Sequence, residues 1–193
     1  MGGALTVLRL EMLSAQAADP ITAEVFEVFA REGREPIALY RVLAHSPRML
    51  RAYSGLAQGL RYEAATPRAL RELMILRTAQ LTGSEYEWAH HRVMAEAAGL
   101  EIEKVAALRD WRTSPWFDPA ERAALRCVEE MHEIGLTDDA FADVEAAMGA
   151  SATVELVLLS AFYQAVARII QAFGLEVEAP YRPYLGDPGE GES

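Results

Sequence analysis

Apolar residues recur along the chain at spacings of three and four, which predicts a succession of amphipathic helices. Residues 1–20 read as loop ending at Asp19-Pro20, after which Thr22 is placed to cap a short helix over Ala23 to Arg31. Pro36 can open a second short helix through Ala44. His45-Ser46-Pro47 then breaks the chain, with Ser46 as N-cap of a helix that carries Met49, Leu50, Tyr53, Leu56, Ala57 and Leu60 to about Tyr62. Thr66-Pro67 repeats that start signal for a helix carrying Leu70, Leu73, Met74, Leu76 and Leu81, which Thr82-Gly83 stops. Ser84 opens the next helix, which runs to Ala98 with Gly99 at its C-terminal end. Glu101 to Arg109 reads as a further helix, and Trp111 to Phe117 as an aromatic linker. Asp118-Pro119 with Glu121 is a capping box ahead of Ala124, Leu125, Val128 and Met131. Thr137 caps a helix through Met148, and Ser151 caps a long apolar one ending at Gly174. No segment alternates with period two, so an all-α bundle of about seven to nine helices is expected. An internal echo, Glu72-Leu-Met-Ile-Leu against Glu155-Leu-Val-Leu-Leu, hints at a duplicated helical unit.

Composition narrows the class. The chain has 193 residues, 51% hydrophobic and 24% charged, enough for one domain with a full core. Its formal net charge of -11, with the arginines scattered among acids, disfavours nucleic acid or an anionic membrane as main partner. Cys127 is the one cysteine, so an intrachain disulfide or a cysteine-based metal cluster is excluded and a reducing, cytoplasmic setting is compatible. The N-terminus lacks a basic region followed by an apolar run. Val154 to Phe173 is the most apolar stretch, but Gln164, Arg168 and Gln171 interrupt it, so a buried helix is expected rather than a membrane span.

Groups able to move a proton concentrate in Arg71 to Gly99, RELMILRTAQLTGSEYEWAHHRVMAEAAG. Glu87 and His91 are four apart and share a helix face, a workable general acid/base pair in which the carboxylate orients the ring. Glu72, on the preceding helix, can face them across the Thr-Gly turn. The same residues have a plainer reading: Ser84 and Glu87 form a capping box, and Glu72 complements its own helix dipole. His90 projects about 100° away from His91. Glu72, Glu87 and His91 can also be read as a divalent-metal site, although neither HExxH nor Glu-x-x-His is present. No GxSxG elbow surrounds Ser84. Tyr86 and Trp88 flank Glu87 and can wall a substrate cavity or belong to the core. Tyr163, Gln164 and Arg168 lie in the apolar helix and need partners there, and Arg168 can anchor a substrate carboxylate or join a structural ion pair. Cys127 lies on a core stripe, and His45 belongs to the chain break.

With those residues in view, the chain resembles the carboxymuconolactone decarboxylase and alkylhydroperoxidase D superfamily. RELMILRTAQLTGSEYEWAHH is similar to its signature helix-turn-helix, as are LAHSPRMLRAY upstream and ELVLLSAFYQAVARIIQAFGLE downstream. The peroxidase branch has a Glu, a Cys twelve residues on, a His two further, a second Cys next to it, and a His four later. In this chain those positions are Glu72, Ser84, Tyr86, Glu87 and His91. Disulfide redox chemistry needs two thiols in reach of one another, and both are replaced. The resemblance therefore implies the cysteine-less, decarboxylase-type branch. It implies an all-α fold, no metal or organic cofactor, and association as a homo-oligomer (dimer, trimer or hexamer).

The resulting expectation is a cofactor-independent decarboxylase or related lyase or isomerase acting on a small carboxylated lactone or β-keto-type acid. His91, Glu72 and Glu87 would be catalytic; Ser84, Tyr86, Trp88 and Arg168 would bind substrate. His91 would protonate the product carbon, Glu87 would orient His91, and Glu72 would polarise or relay. The alternative is a non-catalytic helical oligomer that binds a small ligand or a partner protein. Residues 1–35 are expected to be an N-terminal extension, 36–176 the helical domain and 177–193 a loose tail.

Overall fold

The computed structural model describes residues 8–16, 19–133 and 135–186. Among them the regular structure is helical throughout: α1 (Pro20–Arg31), α2 (Ala38–Leu43), α3 (Pro47–Gln58), α4 (Arg68–Thr82), α5 (Glu85–Ala97), α6 (Ile102–Ala106), α7 (Pro119–Glu133) and α8 (Asp138–Phe173). A π-helical turn, Gly59–Glu63, extends α3, and a 3-10 helix, Ala179–Tyr184, follows α8.

The bundle is built around α4, which packs on α5, α7 and α8. Leu73, Met74, Ile75 and Leu76 are consecutive and all buried, as a helix surrounded by others requires. These residues, with Leu125, Val128, Leu156 and Leu159, form one core cluster. A second cluster joins Phe26 and Phe29 of α1 to Leu39, Val42, Leu50 and Ile170. The N-terminal helix is thus integral to the packing.

Most starts and stops follow the local chemistry. Asp118 and Glu121 form the reciprocal capping box, with bonds of 2.8 and 3.0 Å. Thr137 accepts from Ala140 N–H. Gly83 takes a left-handed conformation (φ 65°), and Ser84 N–H reaches back to Ala79 C=O at 2.9 Å, which joins α4 tightly to α5.

Several expectations change. Asp19 caps α1 in place of Thr22, because Pro20 suits the first helical position and the Asp19 carboxylate reaches Ile21 and Thr22 N–H. Thr66 does not cap α4. Gly149 (φ 83°, ψ 165°) divides α8 before Ser151 is reached, a conformation open to glycine. The segment after 176 is ordered at least to Gly186: the 3-10 helix packs on α5, and Glu178 makes three hydrogen bonds. By length and composition α8 is apolar enough to cross a membrane, yet its inward face is core against α4 and α7.

Candidate active site

The tight α4–α5 turn sets Glu72 and His91 face to face. His91 Nδ1 lies 2.7 Å from Glu72 Oε2, and Arg68 Nε donates to Glu72 Oε1 at 2.8 Å. Burial pushes the Glu72 carboxyl up, but His91 and Arg68 outweigh it and hold it below the ordinary range. An ionised carboxylate only accepts, so His91 Nδ1 carries the hydrogen and Nε2 is left for chemistry. The partner that orients His91 is therefore Glu72, not Glu87 as the four-residue spacing implied. Helical spacing brings side chains onto one face, and the neighbouring helix decides which of them meet.

Glu87 is 2% exposed, and neither carboxylate oxygen has a hydrogen-bond partner. The capping box is only half formed: Ser84 Oγ accepts from Glu87 N–H at 3.4 Å. Ser84 N–H is already committed to Ala79, so the Glu87 side chain has no return bond to make and turns inward. Burial pushes its carboxyl up to about 8, with the Ser84 hydroxyl pulling weakly the other way. At neutral pH Glu87 is mainly a neutral acid with a proton to donate.

Glu87 and His91 share a cavity of about 40 Å³, room for ordered water. Tyr40, Tyr53, Phe162 and Tyr163 supply aromatic wall, and Arg61 supplies a guanidinium. His91 meets Tyr163 edge to face with centroids 4.9 Å apart. Tyr163 is buried and its phenol is pushed up by that burial; the Arg61 charge pulls the other way and the Glu72 carboxylate adds to the rise. Burial opposes the Arg61 charge, but the phenol groups of Tyr163, Tyr40, Tyr62 and Tyr53 hold its pKa above the ordinary value.

Of the other candidates, Tyr86 also lines this cavity. His90 borders the same cavity, but its Nε2 pairs with Glu178 Oε2 at 2.7 Å and its ring is stacked between Tyr86 and Tyr181. Tyr86 donates its hydroxyl to Glu178. Trp88 is core, donates to Gly186 C=O, and with Ser84 borders a separate pocket of about 130 Å³. Arg168 is exposed, contrary to the expectation that it is buried in the apolar helix. It lines, with Ser84 and Tyr86, a separate open cleft of about 680 Å³. Cys127 is buried in the α4–α7–α8 core with its thiol pushed up to about 11 by that burial. His45 Nε2 bonds Glu11 C=O. Glu72, Glu87 and His91 are not arranged as a metal site; among the described residues no group of three His, Cys, Asp or Glu is.

Arg68, Arg61 and Glu178 escaped the sequence reading. Arg68 had a signal, since it precedes Glu72 by four residues on one helix. Arg61 and Glu178 had none, because a π turn and a chain reversal deliver them.

Residues 47–130 match the model of the carboxymuconolactone decarboxylase family. No curated protein matches the chain. Among solved structures, the debrominase Bmp8 superposes with a TM-score of 0.79 at 21% identity, covering 92% of this chain and 96% of that one. A variant of Bmp8 in complex with 2,3,4-tribromopyrrole superposes at 0.77 with 20% identity, covering 90% and 94%. An uncharacterized peroxidase-related protein from Silicibacter sp. TM1040 gives 0.74 at 15% identity, covering 90% and 94%. At these identities the structural likeness establishes a shared fold.

Proposed function

Because the chain belongs to the carboxymuconolactone decarboxylase and alkylhydroperoxidase D-like superfamily, we propose that it is a cofactor-independent acid/base enzyme, a decarboxylase or related lyase acting on a small carboxylated lactone or β-keto-type acid. The observation that carries this reading is the buried, unpartnered carboxyl of Glu87 in one cavity with His91, whose far nitrogen Glu72 holds. An unsatisfied buried acid costs about 1–3 kcal/mol, a cost that a proton-handling site repays in function.

In this mechanism the bond between the substrate's carboxylate carbon and its α-carbon breaks. CO2 leaves, and the electron pair moves onto the carbonyl to give an enolate. The neutral Glu87 hydroxyl donates a hydrogen bond to the developing oxyanion. His91 Nε2–H delivers a proton to the α-carbon and is recharged from water, while Glu72 holds Nδ1–H throughout. Glu72 thus has the orienting role and Glu87 the acid role.

A thiol reaction is not part of the proposal. The positions of the peroxidase cysteines hold Ser84 and Glu87, and Cys127 is sealed in the core. The proposal includes association of several copies of the chain; Val154 and Leu158 stand 59% and 48% exposed on α8, apolar area suited to a subunit contact.

The test is a panel of small β-keto acids and carboxylated lactones assayed by CO2 release. His91→Ala should abolish turnover of any active acid while leaving the circular dichroism spectrum and assembly size intact. Full activity in that variant would refute the role of His91.

A further inference from the structure

We propose that the cavity takes a planar, unsaturated-ring monocarboxylate, with its carboxylate paired to the Arg61 guanidinium and its ring between the aromatic walls. This rests on the reading that the Glu87–His91 cavity is the reacting site, and it names the class of acid that site accepts.

The first argument is charge. Arg61 lines the cavity and keeps its charge, yet among the described residues no carboxylate is ion-paired with it. Its side chain bonds neutral oxygens: Nε donates to Ala57 C=O at 3.1 Å and Nη2 to the Tyr40 hydroxyl at 3.1 Å. A guanidinium has five N–H donors, so the fork retains capacity for a carboxylate. Nearby, Arg68 and His91 already use Glu72, and Glu87 is neutral near pH 7. Arg61 is left without a carboxylate partner. A monocarboxylate supplies one; the second group of a dicarboxylate would meet only cations that Glu72 already holds.

The second argument is that Arg61 is held in place. It sits in the π turn, closed by Ala64 N–H to Gly59 C=O at 3.0 Å, a helix irregularity common at functional sites. Buried Arg71 of α4 spends its guanidinium on backbone carbonyls here: Nη2 donates to Arg61 C=O at 3.0 Å, and Nη1 to Ala64 and Thr66 C=O. From α8, Glu155 accepts from Ala65 and Thr66 N–H, each at 2.9 Å. Two helices clamp the backbone that carries Arg61. This also separates the two acids of the sequence echo: Glu155 ties down a loop, and Glu72 orients His91.

The third argument is the wall chemistry. Tyr40, Tyr53, Phe162 and Tyr163 form a continuous ring-to-ring chain, with centroids 5.7, 5.2 and 5.4 Å apart in turn. Flat faces and edges of this kind favour a planar π system over a puckered ring. The cavity of about 40 Å³ must widen to admit a ring. Met94, Tyr53 and Phe162 are among its partly exposed lining, and Met94 is unbranched and able to repack.

The test is isothermal titration of the full chain with benzoate, benzamide and cyclohexanecarboxylate, three unreactive probes of similar size. Benzoate should bind on the order of 10- to 100-fold more tightly than benzamide, the range for one charged, bidentate contact. It should also bind more tightly than cyclohexanecarboxylate. Arg61→Met should erase the benzoate preference over benzamide, and Arg61→Lys should keep part of it. If Arg61→Met fails to fold, the wild-type comparison and Arg61→Lys still decide. No benzoate binding, equal affinity for benzamide, or an undiminished preference in Arg61→Met overturns the carboxylate assignment. Equal affinity for cyclohexanecarboxylate overturns the planar-ring assignment. Benzoate preference without CO2 release from any acid in the panel would sink the decarboxylase reading alone. Turnover of a non-ring acid without benzoate preference would sink this inference alone.

Discussion

Glu87 and Glu72 are both buried, yet replacing each by glutamine should move stability in opposite directions. For Glu87 the carboxyl rises from 4.5 to about 8 because burial disfavours its charge. The native state then keeps a proton that the unfolded chain releases. Unfolding free energy therefore falls as pH rises from about 4.5 to about 8. At pH 7 the term amounts to about 3 kcal/mol, from 1.36 kcal/mol per pH unit. Glutamine matches the neutral acid in shape and cannot ionise. Glu87→Gln should therefore lie within about 1 kcal/mol of wild type near pH 5 and exceed it by about 3 kcal/mol near pH 7, or on the order of 10 °C in Tm. Urea denaturation of both proteins from pH 5 to pH 9 measures this, and every other titrating group cancels in the difference. A stability difference that does not change with pH would show that Glu87 is ionised in the fold, and the acid role proposed for it would fall with that result.

Glu72→Gln should do the reverse. The Glu72 carboxyl is held low in the fold, so its contribution is present above its unfolded value of 4.5 and is lost as pH falls through its native one. Breaking this buried pair should cost about 3–5 kcal/mol at pH 7 by urea denaturation. That cost should shrink in acid. Glu178→Gln removes the charge that His90 bonds and weakens the anchor of residues 179–184, so amide exchange there should accelerate while the α4 core stays protected. Gly149→Ala should lower stability by about 1–3 kcal/mol through backbone strain. A Cβ there meets nothing within 4 Å, so a larger loss by calorimetry would contradict the strain account.

The sequence by itself determined the helical class, most helix ends and the neighbourhood of the site. Those properties are local. The capping box at Asp118, the glycine stop at Gly83 and the apolar spacing of α7 act within one or two turns, so composition and order suffice to read them. Glu72 and His91 were legible for the same reason, since a short turn makes two helices neighbours. The tertiary structure decided which groups meet. Glu72 takes His91 from across the hairpin, which leaves Glu87 without a partner, neutral and buried. It brought Arg61 into the cavity by a π turn that two other helices clamp. It carried Arg168 outward and turned the tail back, so that Glu178 reaches His90 across 88 residues of chain. Pairing, burial and the proton equilibria they set depend on side chains far apart in sequence, and only packing makes them neighbours.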